Sequence, residues 1–192
     1  MSWKRPVIAE AKKLIAMYPE KRSALGPLLY LALREDGYIS NDSIRQISEL
    51  VGITEAQVQS VSTFYSMYKQ DPVGKYLISV CKSVSCEISG SSSVIRELME
   101  ATNLNHLETD EEKIFTIEKV ECIGACGGAP AVQVNYETIE GVKEGQISEL
   151  CTWLKENQPK VVNSDELQGM FGGRKSFDWA IEDRFGTTGP YP

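Results

Sequence analysis

Residues 76–86, YLISVCKSVSC, lie where the sequence changes from helical to extended patterning. The apolar run 76–81 predicts a strand that ends on Cys81, and Cys86 follows after four further residues. Just before this strand, the turn-forming residues 71–74 (DPVG) interrupt the helical spacing. The sequence therefore predicts a domain boundary at this turn, with a different fold on each side of it.

The segment before the boundary, residues 1–71, has the apolar spacing of a small helical bundle. Four short helices are predicted, and the fourth begins with Thr54 and Gln57 in a capping-box pattern. The segment contains no group of metal ligands or acid–base residues, so we expect it to dock a partner protein. The breaks between its helices fall at Pro19, Gly37 and Gly52.

Residues 72–158 predict a mixed sheet with helices packed against it. The order is strand, helix, strand, strand, strand, helix, which assigns the chain to the α/β class. We expect the cysteines to lie just past the ends of the first two strands. The predicted strands are 76–81, 114–120, 131–134 and 138–142, and the predicted helices are 91–102 and 146–156.

The remaining residues, 159–192, form a C-terminal extension with glycines, charged residues and scattered aromatics. Only residues 177–185 have the pattern of a short helix. Exposed aromatic side chains favour association, so we expect the extension to bind a partner protein. The aromatic residues are Phe171, Phe177, Trp179, Phe185 and Tyr191.

Composition limits the possible functions. With 42% hydrophobic and 24% charged residues, the 192-residue chain can bury a core and is not of the disordered class. A formal net charge of −7 argues against a general nucleic-acid-binding protein, which needs clustered Lys and Arg. The sequence shows neither an apolar run long enough to cross a bilayer nor a secretory signal pattern. We therefore expect a cytoplasmic protein without a membrane span.

Four of the five cysteines form two pairs with the spacing of metal ligands. Cys81 and Cys86 make a C-x4-C pair, and Cys122 and Cys126 make a C-x3-C pair. Four thiolates can hold either zinc or an iron–sulfur cluster. Zinc modules favour two residues between paired cysteines, whereas the wider gaps suit a [2Fe-2S] rhomb, in which each iron takes one pair.

The residues around the second pair, 122–130 (CIGACGGAP), also favour the cluster. Glycine permits positive φ angles and lets backbone N–H groups approach sulfur closely. Such groups stabilise the negative charge of an all-thiolate cluster, and they influence how readily it accepts an electron.

Two other functions remain open from the residues alone. A zinc-stabilised interaction module would use the same four cysteines. A thiol–disulfide oxidoreductase would use one pair, although its catalysis favours C-x-x-C at a helix start, which neither pair has. Cys151 lies on an apolar helical stripe and is interpreted as a core residue. His106 has no second histidine near it to share a metal, so we assign it no ligand or acid–base role.

Three separated motifs resemble those of one known family. They are residues 18–25 (YPEKRSAL) with the following PLLYL, residues 61–65 (VSTFY), and the second cysteine loop at 122–130. The chain resembles the thioredoxin-like [2Fe-2S] ferredoxins that form the E subunit of NADH:quinone oxidoreductase, or respiratory complex I. The resemblance covers about residues 7–157. Related subunits occur in NAD-linked hydrogenases and formate dehydrogenases.

The resemblance implies a thioredoxin-like domain at residues 72–158 that carries one [2Fe-2S] cluster. Its metal and cofactor ligands would be Cys81, Cys86, Cys122 and Cys126. It also implies a flavin-bearing, NADH-oxidising partner subunit, which would hold FMN and NAD, within a larger hetero-oligomeric complex peripheral to the inner membrane. The chain itself would be a non-catalytic carrier of single electrons. A soluble NAD-dependent hydrogenase or formate dehydrogenase is the alternative host.

Overall fold

The computed structural model describes residues 3–177 and 186–189, and it divides the chain into two compact units. The first unit extends to Pro72, and the second begins at Val73. Helices make up the first unit, and the second combines helices with a four-stranded mixed sheet, so the predicted α/β class is confirmed. No helix among the described residues is long and apolar enough to cross a membrane.

The first unit packs four α-helices around one apolar core. Ser40 caps the third helix by accepting a 3.0 Å hydrogen bond from the Ser43 backbone N–H, and Thr54 and Gln57 form the predicted capping box at the fourth. The helices are α1 (Arg5–Ala16), α2 (Leu25–Asp36), α3 (Asn41–Val51) and α4 (Glu55–Ser62), with a 3₁₀ turn at Lys21–Ala24.

The apolar spacing through Tyr65 and Tyr68 predicts that the fourth helix continues to Tyr68, but α4 ends at Ser62. The chain leaves the α-helical path at Thr63, and the Phe64 N–H bonds to the Val61 carbonyl in a tighter turn. Tyr68 therefore lies beyond the helix, where its ring is buried and packs edge-on against Tyr30 at 5.4 Å. Tyr68 fits the apolar spacing because it is buried in the core, although the helix does not continue to it.

The second unit is built on a sheet with strand order β2-β1-β3-β4. Strands β1 and β2 are parallel and are joined through α6, whereas β3 pairs antiparallel with both β1 and β4. The strands are β1 (Tyr76–Cys81), β2 (Phe115–Val120), β3 (Ala131–Val134) and β4 (Glu137–Glu140). The helices are α5 (Val84–Ile88), α6 (Ser91–Thr102), α7 (Gln146–Asn157) and α8 (Ser164–Phe171).

The sheet register determines where the cysteines lie. Cys81, the last residue of β1, pairs with Val120, the last residue of β2. The segments that follow the two parallel strands therefore leave the sheet at the same end. These two segments carry the remaining candidate ligands.

Two helices of the second unit were not predicted. Helix α5 has five residues, too few to show a helical period. Helix α8 lies in the C-terminal extension, where the Asn163 side chain caps it and Phe171 packs against Trp153 at 6.0 Å between ring centroids. Phe171 is thus buried in its own unit. The helix predicted at residues 177–185 falls almost entirely outside the described residues.

The N-cap residue of helix α7 is Gly145, so the helix has no capping side chain of its own. The Glu97 carboxylate, on α6, replaces that cap by accepting hydrogen bonds from the Gly145 N–H at 2.8 Å and the Ser148 N–H at 2.9 Å. It also accepts a hydrogen bond from the Ser148 hydroxyl. This one side chain joins the two helices that cover the sheet.

Replacing Glu97 with Ala should lower the free energy of unfolding by about 1 to 3 kcal/mol, because the α7 donors lose their charged acceptor. Glu100→Ala, an exposed change on the same helix, is the matched control and should stay within about 0.5 kcal/mol. Urea unfolding followed by circular dichroism measures both. Equal effects in the two variants would show that the cap contributes little.

Candidate metal centre

The first cysteine pair is buried at the end of the sheet. Cys81 ends β1, and Cys86 lies on the short helix α5 that follows. Their exposed fractions are 1% and 2%, and both pack against Ala131 at the start of β3. The two thiols are close enough that Cys81 contributes to the raised pKa of Cys86, after burial as the main cause.

The second cysteine pair is exposed, in the loop after β2. The sulfur atoms of Cys122 and Cys126 are 3.3 Å apart. Gly124, between them, has φ +90°, a left-handed conformation that glycine adopts without strain. The loop can therefore turn back and bring its two cysteines together.

The two cysteine loops are also joined at the surface. Lys82, just after β1, pairs with Glu121, just after β2, at 3.0 Å between Nζ and Oε1. The Ser83 hydroxyl donates to the same carboxylate at 3.0 Å. The hydrogen bond from Lys82, followed by that from Ser83, lowers the pKa of Glu121. Both partners are largely exposed, so this ion pair orients the loops more than it stabilises the fold.

Three protein groups favour the ionised form of a nearby thiol. They are the backbone of Gly124 at Cys122, the backbone of Ala131 at Cys86, and the Ser85 hydroxyl at Cys126. A hydrogen bond donated to sulfur favours its negatively charged form.

The four thiols differ in how readily they ionise. The backbone of Gly124, with a hydrogen bond from Cys126, lowers the pKa of Cys122. The neighbouring Cys122 raises the pKa of Cys126, through their hydrogen bond and then its charge. Burial raises the pKa of Cys86 to about 11. A positively charged metal would offset this cost of burial, because it favours thiolate over thiol.

The donor set suits a two-iron centre. The cysteines form two pairs that follow the ends of two neighbouring parallel strands, and the pairs are close enough for Cys126 to interact electrostatically with Cys81 and Cys86. A [2Fe-2S] rhomb takes two thiolates at each iron. Among residues 3–177 and 186–189, no three His, Cys, Asp or Glu side chains are grouped as the ligands of a single metal ion.

The structure adds two residues that the sequence did not single out. Ser85 and Ala131 come near the thiols of Cys126 and Cys86 only through the folding of α5 and β3. The structure also shows why one glycine of the loop 122–130 is required, since a Cβ on Gly128 would overlap the Glu140 carboxylate and lie 2.6 Å from the Arg174 carbonyl oxygen.

Cys151 and His106 lie apart from this centre. Cys151 is buried on α7 in the core of the second unit, where burial, with a smaller contribution from the Glu97 charge, raises its pKa to about 12. The His106 Nδ1 accepts a 3.0 Å hydrogen bond from the Lys119 backbone N–H. These contacts belong to the core and to β2, so they do not suggest a ligand role for either residue.

Comparison with known proteins identifies the family of the chain. Residues 11–155 match the family described as thioredoxin-like [2Fe-2S] ferredoxin, which is most of the chain and includes all four candidate ligands. The chain belongs to this family. The resemblance found in the sequence motifs is thereby confirmed, and a [2Fe-2S] cluster is the cofactor of this ferredoxin.

The relatives of this ferredoxin are components of NADH-quinone oxidoreductase. The E subunit from Mycobacterium tuberculosis H37Rv is 36% identical over 152 residues, which is 79% of this chain and 60% of the relative. The chain thus spans less than two thirds of its mycobacterial relatives. Subunit 2 of Thermus thermophilus is 35% identical over 84% of this chain and 90% of its own length. The E subunit from Rickettsia prowazekii is 34% identical over 80% of this chain and 89% of its own length.

A solved structure shares the fold of this ferredoxin. The NAD+-reducing [NiFe]-hydrogenase in its air-oxidized state matches with a TM-score of 0.60, over 68% of this chain and 23% of its own. The sequence identity is 17%, so the likeness concerns the fold alone.

Alkylation should distinguish Cys151 from the candidate ligands in cluster-free protein. With a pKa of about 12 and a buried thiol, Cys151 should remain unmodified by iodoacetamide at pH 8 until the chain unfolds, whereas the exposed Cys122, with its lowered pKa, should react first. Mass spectrometry of timed samples measures the order. Early modification of Cys151 in folded protein would contradict the assignment.

Proposed function

We propose that this ferredoxin is an electron-carrier subunit of an NADH:quinone oxidoreductase, with Cys81, Cys86, Cys122 and Cys126 as the ligands of its [2Fe-2S] cluster. The observation that carries the proposal is the placement of these four cysteines, in two pairs, at and just after the ends of the parallel strands β1 and β2. When bound, the cluster supplies a site that accepts and releases one electron at a time. The residues around it hold it and set its electrostatics.

The two pairs serve different needs of such a site. Cys81 and Cys86 are fixed by β1 and α5 in a buried position, which limits the movement of the ligands. Cys122 and Cys126 are exposed, which gives a redox partner access to the site. Gly124, Ala131 and Ser85 favour negatively charged sulfur at the thiols beside them, which suits a site that gains negative charge on reduction.

We infer that NADH is oxidised on another subunit. A hydride donor delivers two electrons together, a [2Fe-2S] site takes one, and a flavin can do both. The expected partner is therefore a flavin-bearing subunit that holds FMN and NAD, in a complex on the cytoplasmic side of the inner membrane. The named relatives, at 34–36% identity, favour NADH:quinone oxidoreductase over a hydrogenase or formate dehydrogenase as host.

We propose further that the first unit, residues 1–71, docks this flavin-bearing partner. Phe64 and Tyr65 follow α4 and are 78% and 48% exposed, with their rings in edge-to-face contact at 4.9 Å. Large exposed aromatic side chains are favoured at protein interfaces because they bury much area at little entropic cost.

Substitution of the four proposed ligands tests the site. Replacing any one of Cys81, Cys86, Cys122 and Cys126 with Ala should remove or destabilise the cluster, because an iron then lacks a thiolate. Cys151→Ala is the matched control, expected to retain the cluster and to cost about 1 to 2 kcal/mol of stability. Iron and acid-labile sulfide in anaerobically purified protein measure the outcome, with two of each expected per wild-type chain. Colourless wild-type protein with one zinc would refute the cluster.

Redox assays test the role of carrier. The isolated chain should not oxidise NADH, because a one-electron site cannot take a hydride. Adding the flavin-bearing subunit should allow NADH to bleach the iron–sulfur absorbance and to produce a one-electron paramagnetic signal. Flavin-independent NADH oxidation by the isolated chain would contradict the proposal.

A further inference from the structure

The C-terminal extension lies against the second cysteine loop. The side chain of Gln168, on α8, donates to the carbonyls of Glu140 at 3.0 Å and Gly173 at 3.2 Å, and accepts from the Glu140 N–H at 2.8 Å. The Gly173 N–H also donates to the Glu140 carbonyl at 2.8 Å. The segment after α8 is therefore fixed beside β4. The family match ends at residue 155, before this segment begins.

This attachment places Ser176 against Gly127, which follows the proposed ligand Cys126. The Ser176 N–H donates to the Glu140 carboxylate at 2.6 Å. A Cβ added at Gly127 would lie 3.1 Å from the Ser176 Oγ and 3.2 Å from its Cβ, so the serine side chain packs directly on Gly127.

The Ser176 hydroxyl is buried and lacks a hydrogen-bond partner in the described part of the chain. Leaving a buried hydroxyl unbonded is unfavourable, so such a group points to a partner that the protein atoms do not supply. The Glu140 carboxylate is nearby but engages the backbone N–H of Ser176. The sulfur atoms of a bound cluster and of its cysteine ligands are hydrogen-bond acceptors. The proposed ligand Cys126 is adjacent in sequence to Gly127.

We propose that the Ser176 hydroxyl donates a hydrogen bond to a sulfur of the cluster site beside Gly127, and so raises the reduction potential. This inference rests on the proposed function, because it needs a cluster held in part by Cys126. The reduced site carries one more negative charge than the oxidised site, so a donor stabilises the reduced form more. The C-terminal extension thereby contributes a tuning residue from outside the family match.

The test uses the full-length chain carrying its cluster. Ser176→Ala removes the hydroxyl and keeps the backbone N–H that bonds Glu140. We expect wild-type iron and sulfide contents, and an equilibrium constant for one-electron reduction about tenfold lower, which is a potential about 59 mV lower. A redox titration followed by electron paramagnetic resonance measures the shift. Thr152→Ala, which removes an exposed hydroxyl bonded within α7, is the control and should leave the potential unchanged.

Two further measurements separate hydrogen bonding from a packing effect. Ser176→Thr keeps a hydroxyl and should restore most of the wild-type potential. In resonance Raman spectra, exchange into D₂O should shift the iron–sulfur bands of the wild type, and the shift should diminish in Ser176→Ala.

The outcomes distinguish this inference from the proposed function. Wild-type potential and an unchanged D₂O shift in Ser176→Ala would overturn the hydroxyl's role and leave the proposed function intact. Loss of the cluster in both Ser176 variants would make the residue structural, which also overturns the role. Wild-type protein that takes up no iron and sulfide would overturn the proposed function, and this inference with it.

Discussion

The parallel pairing of β1 and β2 is the constraint on which the site depends. Parallel strands in register end together, so the residues that follow Cys81 and Val120 emerge side by side. An antiparallel pair would send the same two loops to opposite ends of the sheet. The helix α6 that the parallel connection requires then packs on the sheet and, through Glu97, fixes α7 as well.

The site also requires that the negative charges of its thiolates be offset. Four thiolates close together repel one another, and the pKa values of Cys86 and Cys126 are raised partly for that reason. The fold offsets this repulsion locally, because Ala131, Gly124 and Ser85 each favour the ionised form of the thiol beside them. These three residues come from three different segments of the chain.

Much of this architecture was predictable, for a physical reason. Strand β1 and helix α6 have the predicted bounds. The strand is buried along its whole length and the helix on one face, and both kinds of burial give a clear pattern of apolar residues in the sequence. Strand β4 ends earlier than predicted, because Gly141 turns into the left-handed region at φ +68°. The cysteine pairs were visible from their spacing. In contrast, Ser176 is 50 positions from Cys126, and only the folded chain brings it to the loop.

Because one cysteine pair is buried and the other is exposed, molecules in solvent can reach the site from one side only. Molecular oxygen, chelators and proteins that deliver iron and sulfide all approach from solvent, and they meet Cys122 and Cys126 before the buried Cys81 and Cys86. Assembly of the site and oxidative damage to it are therefore both expected to begin at the exposed pair, Cys122 and Cys126. The buried pair is the more protected of the two from agents in solvent.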